Sequence, residues 1–347
     1  MPPDVTHFCT YFDHRYLARG LALIKSLEDH CPQFEIWVLC LDEMTYDTLS
    51  RLARPGVHMI TLAELEQAYP ELVTVKPHRT ALEYYFTCTP SLPRFVLARH
   101  PAVELITYLD ADIYFYHDPT PLFEELGTGS IAIVAHRRPP ALQALTVQSG
   151  IYNVAWVGFR RDASGLACLH WWHERCIEWC YERSEDGKYG DQKYLDVWPA
   201  RFDGVVVLNH KGADLARWNV ANYQLTEGED RQVYVDEQPL IFYHFNGFTQ
   251  TRSWLFNPRF NNRVKSTTIL RRRVYGQYVA ALVQIDWQMK SAMTTLPLDD
   301  NAYHAMHQTE ASGTPRQQKP SALRRLYRLI RAISTGRLLV SIRGRVL

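Results

Sequence analysis

Residues 106–118 read ITYLDADIYFYHD. Ile106, Tyr108, Leu109, Ile113, Tyr114 and Phe115 give the run the character of a strand buried on both faces. Asp110 and Asp112 interrupt it. A buried, unpaired carboxylate is costly, and two side by side repel. Side chains two apart on a strand share a face, so both carboxylates are expected to converge on one spot. In an open α/β sheet, ligands bind beyond the carboxyl ends of the strands. A hard divalent cation there would cancel the repulsion, and carboxylates with phosphate oxygens and water suit Mg2+ or Mn2+. By itself an Asp-x-Asp is common, and two solvated aspartates at a turn would read the same way.

The flanking chain alternates strand and helix patterns. Apolar runs at 7–12, 34–42, 56–62, 130–136, 152–161, 204–209, 233–236 and 240–245 read as strands. Helical spacing of Leu17, Leu21, Ile24 and Leu27 follows the first, and further helices are expected at 43–53, 166–183, 190–199 and 268–293. A helix from 79 should stop at Pro90, with a second helix leading into the 106–118 strand. This alternation argues for a parallel α/β sheet with helices on both faces.

The chain has 347 residues, 46% apolar and 22% charged, an ordinary globular composition with room for a large core. Its formal charge is +1, but residues 316–347 hold nine Lys/Arg and no Asp/Glu, leaving 29 basic and 37 acidic side chains before them. Residues 296–320 read as a polar linker. Beyond it, 321–333 forms a basic amphipathic helix, with Leu323, Leu326, Leu329, Ile330 and Ile333 on one side and Arg324, Arg325, Arg328 and Arg331 on or beside the other. It would either pack on its own domain or dock on an anionic membrane surface, at about 1 kcal/mol per basic residue. With few aromatics and no recognised fold in the tail, nucleic acid is not an expected partner. No run is long enough to span a bilayer and the N-terminus lacks a secretory pattern, so a cytoplasmic protein is expected, peripheral to the cytoplasmic membrane face if the tail binds there. Seven cysteines suit a reducing compartment. Cys168, Cys176 and Cys180 with Trp172 form a stripe at spacing four near His170 and His173, but the spacing fits no zinc pattern and reads as a buried helix face.

Three further blocks follow Asp110 and Asp112: YNVAWVGF (152–159), GDQKYL (190–195) and HFNG (244–247). Their order over about residues 5–260 resembles the nucleotide-sugar glycosyltransferases of the GT-A fold. The likeness is to the group around glycogenin and the bacterial family 8 enzymes, and closer still to bacterial nucleotide-diphospho-sugar transferases. It implies a Rossmann-like, mostly parallel central sheet flanked by helices over 1–265, a C-terminal helical extension over 266–295, the linker 296–320 and the tail 321–347.

The same resemblance implies the site. Asp110 and Asp112 match the metal-binding pair, with Asp110 also reaching the ribose side, and His244 matches a histidine that completes a Mn2+ (or Mg2+) site. Gly247 would let the backbone approach the diphosphate. Thr10, Tyr11 and Tyr16 fall where the family holds uracil and ribose. The family's lysine is replaced by Gln250, so Arg252 or Arg79 is the expected phosphate cation. Asn153 matches an asparagine that binds the donor sugar, and Asp191 and Gln192 line the sugar pocket near the reacting carbon. In KGADLARWN (211–219), Trp218 and Asn219 pair a stacking plane with an amide, a combination suited to sugar recognition.

The implied reaction is transfer from a nucleoside-diphosphate sugar, a UDP-sugar in the first instance, to a hydroxyl of a glycan, lipid-linked or protein acceptor. Resemblance to family 8 implies retention, with the departing phosphate taking the acceptor's proton and Asp191 stabilising the cationic sugar or acting as base. A sugar nucleotidyltransferase fits less well, because FCTYFDHRYL has no glycine for a phosphate loop. A non-catalytic nucleotide-sugar-binding protein fits less well because Asp110, Asp112, Gln192 and His244 are all intact.

Overall fold

A computed structural model describes residues 5–260, 264, 266–294, 332, 338–342 and 345–346. The strands are β1 (Thr6–Phe12), β2 (Phe34–Cys40), β3 (Val57–Thr61), β4 (Leu105–Leu109), β5 (Ile113–Phe115), β6 (Ile131–Ala135), β7 (Tyr152–Arg160), β8 (Val205–Leu208) and β9 (Leu215–Ala216). They continue with β10 (Leu225–Glu227), β11 (Val233–Val235), β12 (Gln238–Pro239), β13 (Phe242–His244), β14 (Thr249–Arg252), β15 (Leu255–Asn257), β16 (Leu339–Ile342) and β17 (Arg345–Val346). The helices are α1 (Leu17–His30), α2 (Glu43–Leu52), α3 (Leu62–Ala68), α4 (Pro70–Val75), α5 (Ala81–Arg99), α6 (Thr120–Leu126), α7 (Gln143–Ser149), α8 (Ala163–Glu178), α9 (Trp198–Arg201) and α10 (Gly276–Thr294).

Seven strands form the central sheet in the order β3-β2-β1-β4-β7-β6-β8. β3, β2, β1 and β4 run parallel, as do β6 and β8, while β7 opposes both of its neighbours. The sheet is therefore mostly parallel with one reversed strand. Alternation along β1 and β2 explains why it is covered twice: Phe8, Phe12, Ile36 and Val38 join one apolar cluster, Cys9, Trp37 and Leu39 the other. Helix starts follow local chemistry. Asp42 and Asp162 cap α2 and α8, and Thr61–Glu64 and Thr80–Glu83 make reciprocal capping boxes on α3 and α5.

Two expectations are corrected. First, α5 does not stop at Pro90; it runs through Pro90 and Pro93 to Arg99. Thr87, Thr89 and Ser91 hydroxyls donate to the carbonyls of Glu83, Tyr85 and Thr87, and residues Thr87–Pro93 are buried beside α8. Packing thus outweighs the lost backbone donors. Second, 106–118 is not one strand. β4 ends at Leu109, the Ile113 N–H donates to the Asp110 carbonyl (3.3 Å) to close a turn, and β5 leaves the central sheet to pair antiparallel with β13. The aspartates meet through this turn at the carboxyl end of β4, not through strand alternation.

The end of the chain folds back. β16 pairs antiparallel with β15, setting Leu339 opposite Phe256, and forms a hairpin with β17, which packs on α10. Leu339 is 1% exposed. Residues placed in the basic tail by sequence are therefore part of a four-stranded sheet, because Leu339 and Val346 there join the core with Phe256. The 296–320 linker and all of the 321–333 helix except Ala332 lie outside the described residues. No helix among the described residues is long and apolar enough to cross a membrane.

A Leu339→Ala variant is expected to lose about 2–5 kcal/mol of stability by deleting buried side-chain volume. Chemical denaturation checks this, and an unshifted midpoint would show that the C-terminal strand is not part of the cooperative fold.

Candidate functional site

β13 lies between β5 and β9, with His244 opposite Ile113 on one side and Ala216 on the other. That register carries His244 to the Asp110–Asp112 turn, and the Phe245 N–H donates to the Asp112 carbonyl (2.8 Å) to lock the two together. The neighbours of His244 pack behind it. Phe245 stacks on Tyr278 at 3.8 Å between centroids, and the Tyr243 and Tyr275 hydroxyls are 3.0 Å apart.

The imidazole sits among three carboxylates. Its Nε2 is 3.1 Å from Asp112 Oδ1 and 3.7 Å from Asp110 Oδ2; its Nδ1 is 3.5 Å from Asp214 Oδ1. Asn153 Nδ2 donates to both Asp214 oxygens (2.9 and 3.1 Å) and lies 3.1 Å from His244 Nδ1. Asp214 is fully buried in the left-handed region at φ 48°, a conformation aspartate tolerates, which turns its carboxylate back toward the histidine.

Electrostatics follow from this packing. Burial alone would strip the proton from His244, but Asp112, Asp214 and Asp110 outweigh it and raise its pKa well above the usual value. Burial opposes ionisation of Asp112 too, yet the His244 charge 3.1 Å away, with help from Arg19, holds it below the usual carboxylate range. Asp110, 29% exposed, is pushed up to about 6 by burial, with Asp112 and Asp214 adding to the shift and His244 and Tyr108 opposing it. A proton on His244 is what balances the cluster.

A divalent metal can replace that proton. One ligand atom each from Asp110, Asp112 and His244 lie within 4.8 Å of one another, and no other such group of three occurs among the described residues. His244 Nε2 is buried and makes no directed hydrogen bond, while Asp214 and Asn153 back the opposite ring nitrogen. An imidazole oriented from behind by a carboxylate is the usual outer support of a metal ligand. Two carboxylates with one imidazole suit Mn2+ or Mg2+. The three expected ligands therefore come together.

The remaining expected residues divide. Asp191 is 6% exposed and is pushed up to about 7 by burial, with Asp110 adding and Thr89 opposing. Its backbone carbonyl accepts the Trp172 indole N–H (2.8 Å), and Gln192 Nε2 donates to the Ser149 carbonyl (2.6 Å). Tyr11 places its hydroxyl 3.2 Å from Thr89 Oγ1 and its ring 5.6 Å from Tyr108, whose hydroxyl donates to Asp110 (3.0 Å). Thr10 is fully buried with its hydroxyl unpartnered. Tyr16 is exposed, with the Arg19 guanidinium 4.2 Å over its ring. Trp218 meets His244 edge to face at 5.3 Å. Gly247 takes φ 71°, and Arg252 is exposed on β14.

Three expected site residues have their polar atoms engaged within the fold. Asn153 spends its amide N–H groups on Asp214 and His244. Asn219 is fully buried: its side chain accepts the Ala216 N–H and donates to the His136 and Asp214 carbonyls, which fastens the β9 loop. Arg79 donates to the Cys176, Ile177 and Cys180 carbonyls (2.8, 2.7 and 3.3 Å), capping the end of α8. The cysteines are all buried and free, as the structural reading of their stripe required.

Sequence reading missed Asp214, Arg217 and Arg19. Asp214 and Arg217 stand inside KGADLARWN, but nothing in that stretch announces that β9 will pair with β13.

No family profile matches the chain. Curated relatives do: it is 33% identical over 288 residues to the uncharacterized protein YfnD of Bacillus subtilis, spanning 82% of this chain and 91% of YfnD. It is 35% identical over 248 residues to YfnF of the same organism, spanning 70% and 81%. The chain belongs to the YfnD/YfnF family. Among solved structures it is similar to the galactosyltransferase LgtC in complex with donor and acceptor sugar analogs, at 15% identity and a TM-score of 0.49 over 87% of this chain and 100% of that one. It is also similar to mouse xyloside xylosyltransferase 1, at 15% identity and a TM-score of 0.45 over 70% and 98%.

The buried Asp191 makes a signed stability prediction for this YfnD/YfnF relative. Its folded pKa of about 7 lies above the unfolded value of 3.8, so the native state holds the proton more tightly. The contribution is full below about pH 4 and is lost as pH rises through about 7. Asp191→Asn should therefore be more stable than wild type at pH 8, by on the order of a few kcal/mol, with the gap closing toward pH 4. Denaturant titrations of the metal-free protein across that range decide it; a pH-independent gap would contradict the assignment.

Proposed function

We propose that the chain is a metal-dependent glycosyltransferase that moves a sugar from a nucleoside-diphosphate sugar, a UDP-sugar in the first instance, to an acceptor hydroxyl. The observation that carries this is the convergence of Asp110, Asp112 and the Asp214-backed His244 at the carboxyl end of β4. It lies where an open α/β sheet binds its ligands, and its charge balance calls for a cation. The ordered blocks that resemble GT-A enzymes point the same way.

When bound, the metal supplies Lewis-acid stabilisation of the negative charge that develops on the departing diphosphate. Asp112 and His244 would hold it, with Asp110 as the more exposed ligand on the nucleotide side. Asp214 and Asn153 support the imidazole from its Nδ1 side, leaving Nε2 toward Asp112 and Asp110. Tyr16, exposed at the start of α1, is placed to cover the ribose or base. Asp191, buried and with its carboxyl pushed up to about 7, suits either a general base or, once ionised, the stabiliser of a cationic sugar. No protein nucleophile is required if transfer proceeds with retention and the leaving phosphate accepts the acceptor's proton. Trp218, edge to His244, offers its ring as the apolar wall of the sugar pocket. The acceptor is a glycan, lipid-linked or protein hydroxyl, and a membrane-bound acceptor would give the basic 321–333 segment a purpose.

Incubation with Mn2+ and a panel of UDP- and GDP-sugars tests the reading. Slow nucleoside diphosphate release by hydrolysis is expected, abolished by EDTA. Asp112→Asn should lower it by about 100–1,000-fold, the scale of losing one group that stabilises transition-state charge, with the circular dichroism spectrum intact. Full activity in that variant, or with EDTA present, would sink the mechanism. Pyrophosphate release from nucleoside triphosphates would instead indicate a nucleotidyltransferase, and binding without turnover a sensor.

A further inference from the structure

The metal ligands account for only part of a diphosphate's needs. Asp110, Asp112 and Asp214 crowd one locus, so even with a divalent metal the site stays negative, while the diphosphate is itself multiply charged. Gln250, where related enzymes place a lysine, is exposed on β14 and brings no charge. Arg79 is committed to the end of α8. Resting on the donor-site reading above, we propose that Arg19 and Arg217, from α1 and the β9 loop, form the cationic clamp that holds the donor diphosphate over Gly247.

Both guanidiniums are tied to the loop that follows His244. The parallel pairing of β9 with β13 sets Leu215 opposite Tyr243 and Ala216 opposite His244, so Arg217 emerges beside Phe245. Its Nη2 lies 3.3 Å from Asn246 Oδ1 and would stand 3.5 Å from a Cβ at Gly247. Its Nη1 donates to the Arg259 carbonyl at 3.2 Å, and its Nε is buried without a partner. These are long or missing bonds for a residue with five donors, so the fork keeps capacity for an anion.

Arg19 approaches from α1. Its Nη2 donates to the Phe248 carbonyl (2.9 Å), its face lies over Tyr16, and its charge acts on Asp112. The two arginines therefore both contact the 246–248 loop. Gly247, at φ 71°, adds no side chain there. Arginine forks match phosphate oxygens in pairs, which a single lysine does not. A pair of arginines on separate elements is a different solution from a lysine three residues past the glycine, and it explains how this chain tolerates Gln250.

Titration of the full-length, Mn2+-saturated protein with inorganic pyrophosphate, UDP and GDP tests the clamp without needing the donor sugar. Arg217→Gln and Arg19→Gln should each weaken pyrophosphate and nucleoside diphosphate binding about 10–100-fold, the scale of a lost charge-assisted hydrogen bond. Arg217→Lys should recover part of that loss. Mn2+ affinity should be unchanged, or tighter in Arg19→Gln, because the removed charge opposes the metal. Undiminished pyrophosphate binding in both Gln variants overturns the proposal. So does a parallel fall in Mn2+ affinity or melting temperature, which would mean that the arginines only hold the loop. If wild type binds Mn2+ but no diphosphate, the donor-site reading itself fails.

Discussion

Three carboxylates share one buried imidazole, and much of the structure exists to make that tolerable. Asp110 and Asp112 reach it from the turn after β4, Asp214 from the β9 loop, and His244 from β13. Each position depends on strand pairing: β13 must lie between β5 and β9, and β5 must leave the central sheet for that to happen. The aromatic packing of Tyr243 and Phe245 against Tyr275 and Tyr278 fixes β13 from behind. Asn219 fastens the β9 loop with three buried hydrogen bonds. An arrangement this costly to desolvate is poorly explained as a stability device, since buried ion clusters seldom repay their hydration. It is well explained as a cation site held ready in a proton-balanced form.

The same electrostatics extends outward. Burial pushes the Asp191 carboxyl up to about 7, and Asp110 adds to that shift, so Asp191 and the Asp110–Asp112–His244 cluster are not independent. A cation bound at Asp110 would lessen its push on Asp191 and lower the proton affinity there. Asp110, Asp112, His244 and Asp191 are thus electrostatically coupled, and in the proposed clamp Arg19 and Arg217 would add positive charge beside them.

The central sheet and the Asp110–Asp112 pair were legible in the amino-acid sequence, for physical reasons. Strands buried on both faces read as continuous apolar runs, and Asp110 and Asp112 stand out because ionisable groups are rare in such runs, whereas His244 was reached only through the resemblance carried by HFNG. Other features were not legible. Asn153 and Asn219 have the composition of sugar ligands, but only tertiary contacts show their amides already spent. Arg79 looks like a free cation until α8 ends beside it. Pro90 and Pro93 should break a helix, and packing with hydroxyl support carries α5 through them. β16 is a short run after a basic segment, and its partner, β15, lies more than eighty residues earlier. In each case the deciding partner is distant along the chain and leaves no local pattern.

The central claim is that Asp110, Asp112 and His244 jointly bind a divalent metal. Anomalous diffraction at the manganese edge from crystals grown with Mn2+ and UDP tests it most directly. The account predicts a single strong peak within bonding distance of His244 Nε2 and of carboxylate oxygens of Asp110 and Asp112, adjoining the diphosphate. A fully formed UDP complex with no peak there, and His244 still paired to Asp112 through a proton, would contradict it.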